Sequence, residues 1–393
     1  VSAWAAQQQR VQQVQAAPPF PWRTVITWAV AGLLIIGLLL MLLLLFAMTM
    51  QLDAASLAVF PVIVVLAGMS LLVIAAVMAL ADRWDPQPLP LMLIAVLWGA
   101  VVAAFTSLVV NTMAGVFAYV LTGSQATADA VGAVLSAPLA EEITKGFGLV
   151  LLLLLARRHF TGPLDGLIYG ALIGGGFAFT ENILYYGGAF ATEGAFGTGF
   201  MVFMRGVLGI FGHPIYTSLT GVVIGLVARH WGTWPGALSY LIAVWPGIIL
   251  HALWNGTLVF SPPDLAGLMM IALYGGQFIL TVLWLALLIV LMFDESRRTR
   301  RLLGDYAQYG WLTHEEVQML ATWRGRREGR RWARAIGASP VMRRFIREAS
   351  DLASLRQQVL AEGMNPRRYG KERDLLGRLS SRRQALLTAS QPR

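Results

Sequence analysis

The stretch Ala137–Gly146, APLAEEITKG, is followed at once by FGLVLLLLLA at 147–156. Together they form one apolar segment long enough to cross a bilayer, yet Glu141, Glu142 and Lys145 fall within it. A charged side chain at mid-bilayer costs ~2.5–3.5 kcal/mol on insertion scales, so charges in such a segment point to a function. Glu141 and Lys145 are four residues apart on one helical face, and Glu142 and Lys145 three apart. One ammonium neutralises one carboxylate; the second needs another partner, a proton or a ligand. Pro138 also frees the carbonyl of Val134, which adds polarity just before the pair.

Whole-chain composition places the protein in a membrane. Of its 393 residues 57% are hydrophobic and 13% charged, and mean hydropathy is +0.64, far from the soluble average. The charge is unevenly split. Residues 1–293 hold 8 Lys+Arg against 10 Asp+Glu, and residues 294–393 hold 22 against 11. The chain has no cysteine, which excludes disulfides and thiolate metal sites. No cleavable signal peptide is expected, because the first apolar run is too long for one and no small-residue cleavage site follows.

At ~20 apolar residues per crossing, eight spans are predicted, at about 25–48, 56–81, 90–112, 133–156, 164–187, 199–228, 235–259 and 265–292. The expected fold is therefore all-α, a polytopic helix bundle over 25–293 with its motif-bearing core at 133–260. A flexible arm, 1–24, precedes it, with Pro18, Pro19 and Pro21 marking the entry to the first helix. Loop charges test the count independently. Arg10, Arg23, Arg83, Arg157, Arg158 and Arg229 fall in the arm and the even-numbered loops, whereas the odd loops hold Asp53, Asp129, Glu193 and Asp264 and no Lys or Arg. Arg205 stands near the outer end of the sixth span. By the positive-inside rule both termini are cytoplasmic.

From 294 to 393 the chain reads as a basic, helical cytoplasmic region. Apolar residues recur at helical spacing in HEEVQMLATW and SDLASLRQQVL, and Thr313 with Glu316 forms a capping box. Arginines cluster at Arg324, Arg326, Arg327, Arg330 and Arg331. A solvated domain held near anionic lipid headgroups accounts for them; no recognition motif supports nucleic acid as a partner.

Three more spans carry polar intrusions. In GGGFAFTENILYY, Glu181 and Asn182 follow Gly174, Gly175 and Gly176, where another backbone can come close. In GIFGHPIYTSLTG, His213 precedes Pro214, which reads as a helix breaker at mid-span. In WPGIILHALWNG, His251 and Asn255 share a face after Pro246 and Gly247. Counted along helices of opposite direction, these residues fall within ~12 Å in depth, between the outer interface and the midplane. That is what one shared site requires. Cysteine is absent and Ser218 lies off the face of His213, so water activated by a carboxylate or by a metal is the natural hydrolytic nucleophile. Asn255 and His251 can donate to a developing oxyanion. Alternatively, Glu142, Glu181, His213 and His251 supply the donor types of a zinc site, although no HExxH motif occurs.

These residues in this order resemble the PrsW family of intramembrane proteases, a branch of the group that includes CAAX-processing endopeptidases and bacteriocin-immunity proteins. The resemblance rests on EEITK at 141–145, FAFTEN at 177–182, His213 and HALWN at 251–255. The CAAX branch has Arg one position after that of Lys145 and His where Glu181 stands, which argues against a prenyl-protein protease. The resemblance implies peptide-bond hydrolysis in the bacterial plasma membrane, on a membrane-anchored protein such as an anti-sigma factor. A glutamate of the 141/142 pair would activate water with Glu181 or His213, Lys145 and Asn182 would support the site, and His251 and Asn255 would stabilise the oxyanion. It leaves zinc and a metal-free glutamate mechanism both open. A proton- or ion-coupled transporter also uses Glu and His at mid-depth, but no inverted repeat is visible. A non-catalytic scaffold is the third reading, and the occupied motif positions argue against it.

Overall fold

In hydrocarbon every backbone N–H and C=O must be satisfied within the segment that carries it, so an unclosed chain crosses as helix. The computed structural model describes residues 22–51 and 54–391. Most of the expected N-terminal arm, with Arg10 and the three prolines, and Asp53 of the first loop lie outside the described residues. Eight helical units make the body: α1 (Trp22–Thr49), α2 (Ala54–Ala81), α3 (Leu89–Thr122), α4 (Ala137–Leu155), α5 (Pro163–Met201), α6 (Gly212–Trp231), α7 (Thr233–Phe260) and α8 (Ala266–Gln308). Among the described residues there is no strand. Long apolar side chains point outward, as on α1, where Leu33, Leu39, Leu40 and Leu43 are exposed. This is the surface of a multi-pass membrane protein.

Six of these segments are long and apolar enough to cross a membrane, against about eight expected. The difference has two physical causes. The helical run through α4 carries Glu141, Glu142 and Lys145, and so falls short on composition. Residues Pro163–Trp231 are one apolar segment of 69 residues, ~100 Å if straight, more than three times a hydrocarbon core. They fold back on themselves. A Cβ on Gly166 would stand 1.9 Å from Gly221 O, and one on Gly174 2.4 Å from His213 O. Both pairs sum to 387, the constant register of two antiparallel helices, α5 and α6, packed backbone to backbone. The turn lies beyond Gly194, whose φ of 65° and ψ of −150° are open to glycine.

Several expected boundaries shift, and the fifth helix runs on to Met201 where its span was expected to end near 187. The sixth span begins at Gly212, not near 199, so Pro214 stands in the first turn of α6 and breaks nothing. The third continues to Thr122. Among the described residues three π-helical stretches interrupt the ladders: Trp98–Ala103 in α3, Val131–Ser136 ahead of α4, and Val202–Leu208 after α5. All three abut the polar residues described below.

The body core gathers Leu149, Leu153, Leu167, Leu172, Ile224 and Trp284. The tail has its own, built by α9 (His314–Leu320), α10 (Trp323–Ala335), α11 (Ser339–Glu362) and α12 (Pro366–Ser390) around Leu303, Phe345, Leu352 and Leu375. α8 passes residue 294 without a break and supplies Leu302, Leu303 and Tyr306 to that second core. The tail meets the body at one end only. Glu362 accepts from Arg157 Nε (3.1 Å) and Thr233 Oγ1 (2.7 Å), Gln357 Nε2 donates to Arg229 O (2.9 Å), and Arg326 reaches Trp84 O. The α2–α3, α4–α5 and α6–α7 connections therefore share that end.

Candidate functional site

Three helices place their polar residues at one level. Glu181, His213 and His251 each stand eighteen residues from the tail-side end of their helix (163 to 181, 231 to 213, 233 to 251), ~27 Å along the axis; Glu142, thirteen before Leu155, is at ~20 Å. The expected common depth is met, in the half of the bundle distal to the tail. Close packing makes the level a single site, because glycines on α5 let α3 and α6 approach. A Cβ on Gly176 would fall 2.0 Å from Val96 O.

Lys145 is the hub. Its Nζ donates to Glu141 Oε2 (3.1 Å), Glu142 Oε1 (2.8 Å) and His213 Nδ1 (3.1 Å), which uses all three of its protons. It also lies 3.6 Å from the centre of the Phe177 ring. An ammonium only donates, so His213 Nδ1 accepts and its Nε2–H donates to Glu181 Oε2 (2.7 Å). Glu181 in turn pairs with Arg205, whose Nε donates to Asn182 Oδ1 (3.0 Å) and whose guanidinium covers the Tyr185 ring at 3.9 Å. On the other side Glu142 Oε1 accepts from His251 Nδ1 (3.2 Å) and Oε2 from Thr217 Oγ1 (3.0 Å). Tyr216 stacks on the His251 ring at 5.4 Å.

Seven of the eight predicted residues thus join one network. The eighth, Asn255, stands apart: its Nδ2 donates to Ala133 O (2.8 Å), a carbonyl of the π-helical stretch before α4. It nevertheless lines the same cavity of about 190 Å³ as Glu181, Asn182, His213 and His251. Ser218 is engaged elsewhere, accepting from Trp284 Nε1 (2.8 Å). Arg205 and Thr217 belong to the site and were not predicted. Thr217 is one turn after His213, a spacing that could have shown it; Arg205 was read only as a charge near the outer end.

Valences remain open in the network. His251 lines the cavity and its Nε2 has no hydrogen-bond partner; Glu141, outside the cavity lining, engages only Oε2, while Glu142 is bonded on both oxygens. Three carboxylates, Glu141, Glu142 and Glu181, face two fixed cations, Lys145 and Arg205. One further proton balances the cluster. Glu141 and His251 are the groups placed to share it, with Glu141 Oε2 and His251 Nδ1 3.8 Å apart.

The donor atoms of Glu141, Glu142, His213 and His251 all lie within 4.8 Å of one another, and their types suit zinc. Glu141 takes the place that Glu181 holds in the expected metal set; Glu181 is turned to Arg205 and His213 instead. Space is the difficulty. Lys145 Nζ is within 3.1 Å of three of the four residues, so the ammonium fills the position that an ion bound to them would take. As arranged, the residues do not fit a metal.

A family model, PrsW family intramembrane metalloprotease, matches residues 87–292. That is more than half of the chain, and it takes in every residue of the network. No curated protein and no solved structure matches the chain. The chain belongs to the PrsW family.

Proposed function

We propose that this member of the PrsW family hydrolyses a peptide bond of a membrane-anchored protein with water activated by Glu141. The observation that carries the reading is the convergence of α4, α5, α6 and α7 on one buried hydrogen-bonded network with open valences at a cavity. Water held at Glu141 loses a proton to the carboxylate as its oxygen adds to the scissile carbonyl carbon. Protonated His251 Nε2 and the second Nδ2 hydrogen of Asn255 donate to the resulting oxyanion. The proton taken by Glu141 passes to the leaving nitrogen, the C–N bond breaks, and a carboxylic acid, which then ionises, and an amine remain. Glu142 and Thr217 orient His251, while Lys145, held by Glu142 and His213, donates to Glu141. Glu181, Asn182 and Arg205 anchor His213. No step passes through a metal.

In this reading both termini lie in the cytoplasm of a bacterium and the cut falls in the outer half of the plasma membrane. A single-pass anti-sigma factor is the substrate that the family's best-known role suggests. The basic tail, 294–393, faces anionic headgroups.

The test compares the termini of membrane-protein fragments in cells that make the wild type or the Glu141→Gln/Glu142→Gln variant at equal levels. New termini near the outer face, in wild-type cells alone, establish proteolysis and identify the substrate. Identical fragment sets from two properly inserted proteins remove the assignment. Purified active protein keeps its turnover after chelation; loss on chelation and return with zinc would replace Glu141-activated water by metal-bound water.

A further inference from the structure

Gln277 is 2% exposed, stands on α8, and lines the cavity that holds His213, His251 and Asn255. Sharing that cavity wall puts it at the level of the hydrogen-bonded network. Its Oε1 has no hydrogen-bond partner, and its Nε2 has only a long contact of 3.4 Å to Thr281 Oγ1. Turning the amide over exchanges its two ends and leaves one of them unpaired still. An unpaired buried amide costs ~1–3 kcal/mol. The cost is met when something else occupies the cavity.

The rest of the wall says what that is. Tyr185, Met204, Trp254 and Tyr274 make it largely apolar, and Arg205 adds a guanidinium whose Nη1 makes no hydrogen bond. A helical substrate cannot be hydrolysed until its backbone is unwound at the scissile bond. Unwinding strips N–H and C=O groups of their partners in a medium without water, where each unsatisfied group costs several kcal/mol. The enzyme wall has to replace them. A primary amide offers one donor and one acceptor side by side, the complement of a peptide group.

We infer that Gln277 is a substrate-binding residue that pairs with a backbone peptide group of the unwound segment beside the scissile bond. The inference rests on the protease reading above and assigns α8, which contributes no residue to the hydrogen-bonded network, to substrate recognition.

The experiment uses the purified full chain in lipid nanodiscs and a set of apolar fluorogenic peptides. Each peptide is made in plain form and with a single backbone N-methyl at successive positions. Gln277→Leu is expected to lower kcat/KM about tenfold while melting at or above the wild-type temperature, because an unpaired polar group has been removed. One N-methyl position is expected to cost the wild type about as much and Gln277→Leu nothing further. Equal N-methyl penalties in both proteins at every position, or a variant that melts lower and is slowed only in proportion, overturn the inference and make Gln277 structural. A wild type that cleaves no plain peptide, with Glu141→Gln as its matched control, overturns the protease reading itself and this inference with it.

Discussion

The protein buries two clusters of charge, one at the far level of the bundle and one where the tail meets the body. They are alike in composition and unlike in what their atoms have left to do. At the junction, Asp165 Oδ2 accepts from Thr161 N (2.7 Å), Thr161 Oγ1 (2.8 Å) and Gly162 N (3.2 Å), and its Oδ1 from Gln87 Nε2 (2.8 Å). Gln87 Oε1 takes Tyr169 OH (2.9 Å), and Gln87 N donates to Asp82 Oδ2 (2.8 Å). Arg326 lies 3.6 Å over the Trp84 ring and donates to Leu320 O (2.6 Å), Ser350 Oγ (2.9 Å) and Trp84 O. Among the described residues there, Arg298 Nε and Nη1 and His159 Nε2 are without a partner. At the far level Glu141 bonds through Oε2 alone, His251 through Nδ1 alone and Arg205 through Nε and Nη2, Gln277 Oε1 has no partner, and the last three residues line one cavity. Buried charge is therefore not what marks a site. Unspent hydrogen-bonding capacity at a cavity marks it, and spent capacity between distant segments marks a joint.

The sharpest way to break this distinction is to separate two neighbours. Glu141→Gln leaves two carboxylates facing two cations, so its fold should hold, while turnover falls by ~10³ or more with the base removed. Glu142→Gln takes away a carboxylate bonded by Lys145, His251 and Thr217. It should lower stability by ~3–5 kcal/mol and slow turnover by loosening His251. Thermal melts and peptide cleavage on both variants decide it. The reverse pattern, with Glu142 the more costly for turnover and Glu141 for stability, would exchange their roles.

At the joint the larger effect should be on stability. Arg326→Ala removes one hydrogen bond and a ring contact to Trp84 of the body, along with two hydrogen bonds inside the tail, and should weaken attachment of the tail by about 2 kcal/mol. Limited proteolysis would then release α9 to α12 much faster, while cleavage of a short peptide reporter continues near the wild-type rate. A peptide rate that falls with the tail would make the joint part of the catalytic unit, and the contrast between the two clusters would collapse.

How much of this was legible in the sequence follows from the same contrast. The motif residues were legible because charge inside an apolar run has no neutral explanation; Glu141, Glu142, Lys145, Glu181, His213 and His251 come together as their spacing requires. The Thr313–Glu316 capping box forms as read, with Glu316 N donating to Thr313 Oγ1 at 3.1 Å. Arg326 was not legible. In WRGRREGRR it is one arginine among several, and only the Trp84 ring, far away in sequence, distinguishes the buried one from its exposed neighbours. Asn255 was legible as a cavity residue but not as a donor to Ala133, because that carbonyl is freed by a π-helical stretch that apolar periodicity does not reveal. Gln277 passed unnoticed for the opposite reason. A single neutral amide in a lipid helix is cheap to overlook, and its unpaired state exists only in three dimensions.

The smallest effect predicted is one of pH, and it belongs to the joint. Burial pushes the Asp82 carboxyl up to about 7, with the nearby Asp165 and Asp85 carboxylates adding to it and the Gln87 N–H opposing it. Burial likewise pushes Asp85 up to about 7, with Asp165, Glu295 and Asp351 adding to it. Both rise from an ordinary 3.8. Between that value and about 7 the folded protein binds more protons than the unfolded chain, so the joint loses stability as pH rises through this window and levels off above it. Tail release by protease should therefore increase from pH 5 to about 7, then change little, with Asp82→Asn/Asp85→Asn holding the tail as firmly at pH 8 as at pH 5. A wild-type tail that tightens as pH rises would mean that these carboxylates are held charged by Arg298 and Arg326. The joint would then be an ion-pair network with its hydrogen bonds secondary.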